Sequence, residues 1–502
     1  MNRKIGVVLS FLSIAIEIVS AIFLTPFLIR KFGQSEYGVY TLVLSITSYL
    51  ALLDLGIGNS VVRFVSSFKT NNQIEELKKF EGIVTVFYLI ICFITLVVGL
   101  IIIIIFPYAF SKGLSEEEIL LSQKLLMLTT ANVAITLGTS GFVYTIVGFE
   151  KFIISKGLPI IATFTRIVVS FVVLNNGGTS LAITATNLII NSCARLFFVF
   201  YVLFVIRLRP KFRGIEKSRI KSVLLFSTFI FLQMIATQIN SMVDNILIGA
   251  LVADASIILA VYGVAATIKQ YLSTFGGAVN GVLMPGVVKR VEKGINPQEI
   301  EKEMIRIGRI VFMLAGAIFC GFCVFGDWFV TLWAGSEYSD AYYAAIVLMF
   351  AYVLILTQSV GTQFLWAKNE HKEQAIIKFA IVILNIGLTI LLIQWNPLFG
   401  AVIGTFISLI VGDVILSLVV FKMKLKIGLF SYFAGIIKGI VPSLLISTVF
   451  SFLYKLANLS GWFGLILGIV VFLFVFLICM AIFGFSKNEK KYIKDFLKIK
   501  KE

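Results

Sequence analysis

Fourteen apolar runs, each long enough to cross a bilayer, leave this chain few ways to fold. A hydrocarbon core about 30 Å thick needs about 20 apolar residues per helix. Lipid offers no partner to backbone N–H and C=O groups, so each run must close its hydrogen bonds internally as a helix. The runs read at 5–29, 38–55, 82–106, 121–147, 153–174, 180–206, 222–250, 256–284, 306–333, 342–366, 374–394, 398–421, 433–455 and 461–484. Hydrophobic residues make up 59% of the chain and charged residues only 14%, far from the balance of a soluble globular protein. No small-residue cleavage site follows the first run, which reads as a retained helix and not a signal peptide.

A net charge of +17 raises the question of nucleic acid, and its distribution answers it. With the N-terminus inside, 35 of the 43 Lys and Arg fall on inner segments and their span ends. Five lie on outer loops, and three, Arg166, Arg195 and Lys269, lie within spans. This is the positive-inside pattern, and it places both termini in the cytoplasm. The charge then meets anionic inner-leaflet lipid and not nucleic acid.

The outer loops are too short to fold as domains. Within the longest, Ser115 and Glu118 have the spacing of a capping box at a helix start. On the inner side, 207–221 is a basic connector, and a short cytoplasmic helix is expected to begin at Asn296-Pro297. The connector divides twelve spans into two sets of six. Spans two and eight both open on Tyr-Gly (Tyr37-Gly38 and Tyr262-Gly263), which suits a parallel internal repeat. The expected layout is an N-lobe over 1–206, the connector, a C-lobe over 222–421, two accessory spans over 422–484 and a Lys-rich tail over 485–502. In that tail Tyr492, Ile493, Phe496 and Leu497 fall on one side of a helix, suited to an interfacial position.

Polar residues inside the spans recur at helical spacing. Span one gives Ser10, Ser13, Glu17 and Ser20, and span five gives Pro159, Thr163, Arg166 and Ser170. Span six gives Thr184, Asn187, Asn191 and Arg195, and span seven gives Gln233, Thr237, Asn240 and Asp244. Span eight gives Tyr262, Lys269, Ser273 and Asn280. Ser, Thr and Asn in such stripes often serve as packing glue between helices. A charge costs about 2.5–3.5 kcal/mol at the bilayer centre and must face protein or water. Three cations against the acids Glu17 and Asp244 make a positive cavity that attracts an anion. Two roles remain open for the acids: carrying a coupling H+ or Na+, or pairing with Arg166 and Lys269.

Other chemistry finds no motif. No phosphate-binding loop of the G-x-x-x-x-G-K-[ST] type occurs, so this chain is not expected to hydrolyse ATP. Cys320 and Cys323 have metal-like spacing but no second pair, and read as apolar packing residues. No metal, cofactor or catalytic residue is expected.

The stretch FLTPFLIRKFGQSEYGVYTLVLSITSYLALLDLGIGNSVVRFVSSF (23–68) resembles the start of Wzx-like polysaccharide flippases. SMVDNILIGALVADASIILAVYGVAATI, followed by LMPGVVKR, resembles the start of their second half. Those flippases belong to the multidrug/oligosaccharidyl-lipid/polysaccharide exporter superfamily. The resemblance implies an all-α polytopic fold in which two six-helix lobes surround a central cavity that opens alternately to either side. It implies a non-enzymatic flippase whose cargo is an undecaprenyl-pyrophosphate-linked oligosaccharide. Related lipid II flippases place essential arginines in their first helices, whereas span one here carries Glu17. Pyrophosphate recognition is then expected of Arg166, Arg195 and Lys269, with Asn191, Gln233 and Asn240 beside them and Asp54 and Arg63 at the cavity mouth. A cation-coupled small-molecule exporter of the same superfamily is the alternative, although a carrier of cationic drugs would want an acidic cavity. A membrane glycan polymerase or acyltransferase would be expected to show a large outer loop or an in-membrane histidine, and neither is present.

Overall fold

The computed structural model describes residues 2–212, 217–292, 294–368, 370–456, 461–486 and 489–490, and every regular element among them is helical. In chain order these are α1 (Asn2–Leu50), α2 (Gly58–Thr70), α3 (Ile74–Phe110), α4 (Glu116–Gly138), α5 (Ser140–Gly148), α6 (Phe152–Asn175), α7 (Ser180–Phe200), α8 (Lys217–Leu251) and α9 (Ala255–Glu292). There follow α10 (Pro297–Trp333), α11 (Asp340–Ala367), α12 (His371–Ile393), α13 (Pro397–Leu409), α14 (Ser417–Val420), α15 (Leu429–Ile437), α16 (Ile440–Lys455) and α17 (Gly461–Cys479). Eleven described helical stretches are long and apolar enough to cross a membrane, and the bent pair α15–α16 makes a twelfth. The first limb of α1 and α8, whose side chains are described only in part, are also helical and fall where two further spans are expected. The protein is a multi-pass, all-α membrane protein.

The differences from the sequence reading lie at breaks. Spans one and two are the two limbs of α1, separated at Gly33, where a φ of 74° stops the helical ladder. Beyond span two, an unexpected helix, α2, follows a short 3-10 turn. Leu55 and Gly56 both have positive φ there, which turns the chain. The short helix expected at Asn296-Pro297 is not separate. Asn296 caps it and Glu299 closes a capping box, but α10 continues unbroken to Trp333. The reason is an apolar stripe of Ile300, Met304, Ile307 and Val311, buried at helical spacing with no breaker in it. The capping box of Ser115 and Glu118 forms as expected.

The chain divides into two compact units. One is Met1–Gly263 with Ile393–Leu398, and the other is Val264–Leu392 with Phe399–Glu502. This boundary falls inside α9. The first unit buries Ile57, Val61, Leu77, Phe80, Val84, Tyr88, Leu137 and Ile146 in a core between α2, α3, α4 and α5. Within it the first Tyr-Gly pair makes a close helix crossing, since a Cβ on Gly38 would overlap the carbonyl of Ser256 at the start of α9. Gly263, of the second pair, lies against Thr41.

In the second unit the accessory helices pack on α10 around Val324, Phe325, Leu444, Leu465, Phe472 and Phe476. Glu301 and Arg309 of α10 hold the two ends of α15. Glu301 accepts hydrogen bonds from the Gly428 amide (2.8 Å) and the Ser431 hydroxyl (2.5 Å) at its start. Arg309, 8% exposed, donates to the carbonyls of Gly435 (2.9 Å) and Lys438 (2.9 Å) at its end. An acid at the N-terminus and a cation at the C-terminus both complement the helix dipole. Arg309 further donates to the Gly484 carbonyl (2.6 Å) and, through Nε, to Glu489 (2.9 Å), so one guanidinium joins three segments. Burial alone would raise the Glu489 carboxyl, but hydrogen bonds from Arg309 and from the Ser486 amide and hydroxyl outweigh it and hold the carboxyl below its usual range. The apolar side expected at residues 492–497 lies outside the described residues.

Candidate functional site

Arg166 sits on α6 in the stripe Pro159, Thr163, Arg166, Ser170, whose last member is fully buried. α6 packs along α1. Arg166 is half-buried, and its Nε is sealed from solvent without a hydrogen-bond partner. Its charge acts through space on Tyr40 of α1. The Glu17 side chain, the pairing partner considered from sequence, lies outside the described residues. A buried donor left unmatched costs about 1–3 kcal/mol, more when charged. The arrangement is therefore chemically incomplete without water or an anion.

The stripe on α7 divides into two behaviours. Asn191 donates both amide hydrogens to α4, to Asn132 Oδ1 (2.6 Å) and Thr136 Oγ1 (2.8 Å). Its donors thus join helices, the packing role that sequence weighed against cargo binding. Asn187, one turn earlier, has a buried Oδ1 with no partner. Arg195, one turn later, acts through space on Asp54 and Tyr144. α6 and α7 pack on each other, so Arg166 and Arg195 stand on neighbouring helices of one unit.

Asp54 is placed by the turn at Leu55 and Gly56. Its two carboxylate oxygens accept from Tyr88 Oη of α3 (3.0 Å) and Tyr144 Oη of α5 (3.2 Å). Sequence placed Asp54 at a cavity mouth but not these partners, which lie 34 and 90 residues away. Arg63 is exposed on α2.

On α8 the carboxylate of Asp244 is buried and accepts from Tyr262 Oη (2.5 Å). Neighbouring amides tie α8 to the second limb of α1, from Asn245 to Ser45 Oγ (2.6 Å) and from Gln238 to Ser48 Oγ (2.7 Å). Asn240 is half-buried, and the Gln233 side chain lies outside the described residues. Lys269 belongs to the second unit, where its ammonium sits 5.0 Å from the ring centroid of Tyr352. That is within cation–π range, a mode that leaves the charge available to an anion. The second unit also holds an ion pair the sequence reading passed over, Lys378 with Asp413 at 2.8 Å.

Glu81 was also missed. It stands near the start of α3, fully buried, in a run (KKFEGIV) that reads as loop charge. Its only sequence signal is its register with Thr85 and Tyr88, one and two turns on along the same face. Among the described residues no group of three His, Cys, Asp or Glu is arranged to hold a metal.

Comparison with known proteins follows this geometry. Residues 27–343 match the family model described as "Polysaccharide biosynthesis protein". No curated protein sequence matches the chain. Among solved structures, the chain is similar to the lipid II flippase MurJ in an inward closed conformation, with TM-score 0.70 and 17% identity over 95% of this chain and 98% of that one. It is similar to an inward-facing multidrug resistance MATE family transporter of the MOP superfamily, with TM-score 0.63 and 15% identity over 81% and 95%. It is also similar to the eukaryotic MATE transporter AtDTX14, with TM-score 0.59 and 15% identity over 87% and 99%. At such identities the likeness is one of fold.

Proposed function

We propose that this chain, which belongs to the polysaccharide biosynthesis protein family, is a flippase that moves a lipid-linked oligosaccharide across the bacterial cytoplasmic membrane. The cargo starts in the inner leaflet, carries a pyrophosphate between lipid and glycan, and leaves by alternating access. Both termini face the cytoplasm, where the basic segments meet anionic lipid. Arg166 and Arg195, on neighbouring helices of the first unit, receive the pyrophosphate. Asn240 and Gln233 contact the glycan, and Asn191 shapes the wall through its bonds to α4. Asp244 and Glu17 hold charge balance or a coupling cation.

The observation that carries this reading is Arg166. It is a guanidinium in an apolar span, with a sealed and unpartnered Nε, in a family tied to polysaccharide synthesis. Structural arginines buried in proteins are hydrogen-bonded, as Arg309 is. A phosphate supplies the matching acceptors, because guanidinium binds phosphate oxygens through parallel N–H bonds. The reading that this is a transporter and no enzyme rests on the family and on the fold shared with lipid II flippase and MATE structures.

The test is reconstitution in liposomes with an undecaprenyl-pyrophosphate oligosaccharide and an outer-face accessibility assay. The expected result is protein-dependent appearance of glycan on the far side, with Arg166→Ala inactive yet folded. Transport of small cations by the same liposomes, with no movement of glycan, would replace the proposal with the exporter reading.

A further inference from the structure

Glu81 presents an unusual accounting problem. Its residue exposure is 0%, and among the described residues only one bond reaches its carboxyl, from Thr145 Oγ1 of α5 to Oε2 (2.7 Å). Oε1 is buried with no partner, and so is the hydroxyl oxygen of Thr85, one turn further along α3. The charged groups around this end of α3 are engaged elsewhere. Lys69 of α2 donates to the Phe149 carbonyl (3.0 Å), Lys79 pairs with Glu76 (2.9 Å), and Lys78 and Lys211 both pair with Glu75. Among the described residues no ion pair to Glu81 is present. An ionised carboxylate buried on these terms would be prohibitively costly, whereas a neutral acid is not. A neutral acid also brings an O–H that needs an acceptor, and the unpartnered Thr85 Oγ1 stands one turn away on the same face of α3.

We infer that Glu81 is a proton-binding site, neutral in this arrangement, whose proton exchanges with Asp54 along the polar face of α3. Residues at i and i+4 of a helix have Cβ atoms about 5–6 Å apart, so one water can join the Glu81 and Thr85 oxygens. Tyr88 continues the same face and donates to Asp54. The same two helices serve both acids, since α5 supplies Thr145 to Glu81 and the adjacent Tyr144 to Asp54. A shift of α5 against α3 therefore breaks both sets of bonds together. The step is a proton transfer alone and follows that shift, which opens Glu81 to water: the acid at Glu81 becomes carboxylate as Asp54 becomes the acid, and release from Asp54 returns the proton to solvent. Coupling this exchange to movement of cargo rests on the flippase reading above.

The experiment has two arms, both on the full chain in lipid. The first is infrared spectroscopy without cargo. The wild type is expected to show a protonated-carboxyl band at neutral pH that Glu81→Gln removes. Thr145→Val, which deletes the only hydrogen bond to Oε2, is expected to move that band to higher frequency without removing it. A wild type without such a band, or a band indifferent to both variants, overturns the site. The second arm measures flipping under a pH gradient imposed in either direction. Wild-type rates are expected to differ several-fold with the direction, and those of Glu81→Gln to be equal. Equal wild-type rates, or a variant that still follows the gradient, overturn the coupling. If no glycan flips in any liposome while the infrared result holds, the flippase reading fails and the proton site stands.

Discussion

Replacing Arg309 with methionine should release the accessory helices from α10. The guanidinium makes six hydrogen bonds: two to Glu489 and the others to carbonyls of Gly435, Ile436, Lys438 and Gly484. Methionine fills similar volume, so lost packing contributes little. Breaking a buried pair by removing one partner costs about 3–5 kcal/mol, mainly from groups left unpaired. Taking about 4 kcal/mol, the equilibrium for local opening should rise about a thousandfold. Hydrogen exchange in lipid nanodiscs reads this directly. Amides of α15, of the Lys438–Gly439 break and of the end of α17 should exchange about a thousand times faster, while α3 and α5 stay protected. Arg309→Lys should recover only part, since one ammonium cannot reach the carbonyls at the end of α15, the Gly484 carbonyl and the Glu489 carboxylate together. Exchange in α15 within a few-fold of wild type would show that the clamp is not what holds it.

Three further outcomes follow from the same structure. Glu489 is held below the ordinary carboxylate range, so its contribution should be complete at neutral pH. It should be lost as pH falls through the lowered value, and Glu489→Gln should abolish that acid-side loss in a melting curve. Gly38→Ala, whose new methyl meets the Ser256 carbonyl, should lower the melting temperature in detergent, whereas Gly157→Ala, with open space around its Cβ, should be neutral or slightly stabilising. Equal effects of the two would remove the close crossing from the account. Membrane-impermeant thiol reagents applied outside should reach cysteines introduced at 335–340 and not at 207–221, and labelling of the connector would invert the proposed topology.

Much of the fold was legible because membrane length is a coarse and strong constraint. Fourteen runs met the about-20-residue requirement, and among the described residues eleven helical stretches, with a bent pair as a twelfth, are long and apolar enough to cross. Breaks within the runs were less legible. Gly33 and Gly439 adopt positive φ, but many glycines in this chain lie in regular helix, so the residue type alone does not mark the break. The continuation of α10 through 297–309 was hidden because charges at Glu301, Glu303, Arg306 and Arg309 outweighed the apolar stripe beneath them. Arg309 itself counted as a cytoplasmic charge, although it is one of the most completely bonded side chains described. Candidate site residues were legible one helix at a time. Spacing located Arg166, Arg195 and Asp244, but hydrogen bonds between helices decide roles, and those depend on packing that spacing does not encode. Asn191 turned toward α4, Asp54 toward two tyrosines, and Glu81 vanished into a core behind two lysines.

The central claim is that Arg166 stands in its span to meet the anionic part of a cargo. The direct measurement is flipping of an undecaprenyl-pyrophosphate oligosaccharide by reconstituted Arg166→Ala, set beside its melting temperature and beside the double variant Arg166→Ala, Glu17→Gln. A cargo-binding arginine gives a single variant that is stable, inactive and not rescued by the second change, with Arg166→Lys partly active because it keeps charge without the bidentate fork. A single variant that is unstable, and a double variant that regains both stability and flipping, would show instead that Arg166 is the structural partner of Glu17.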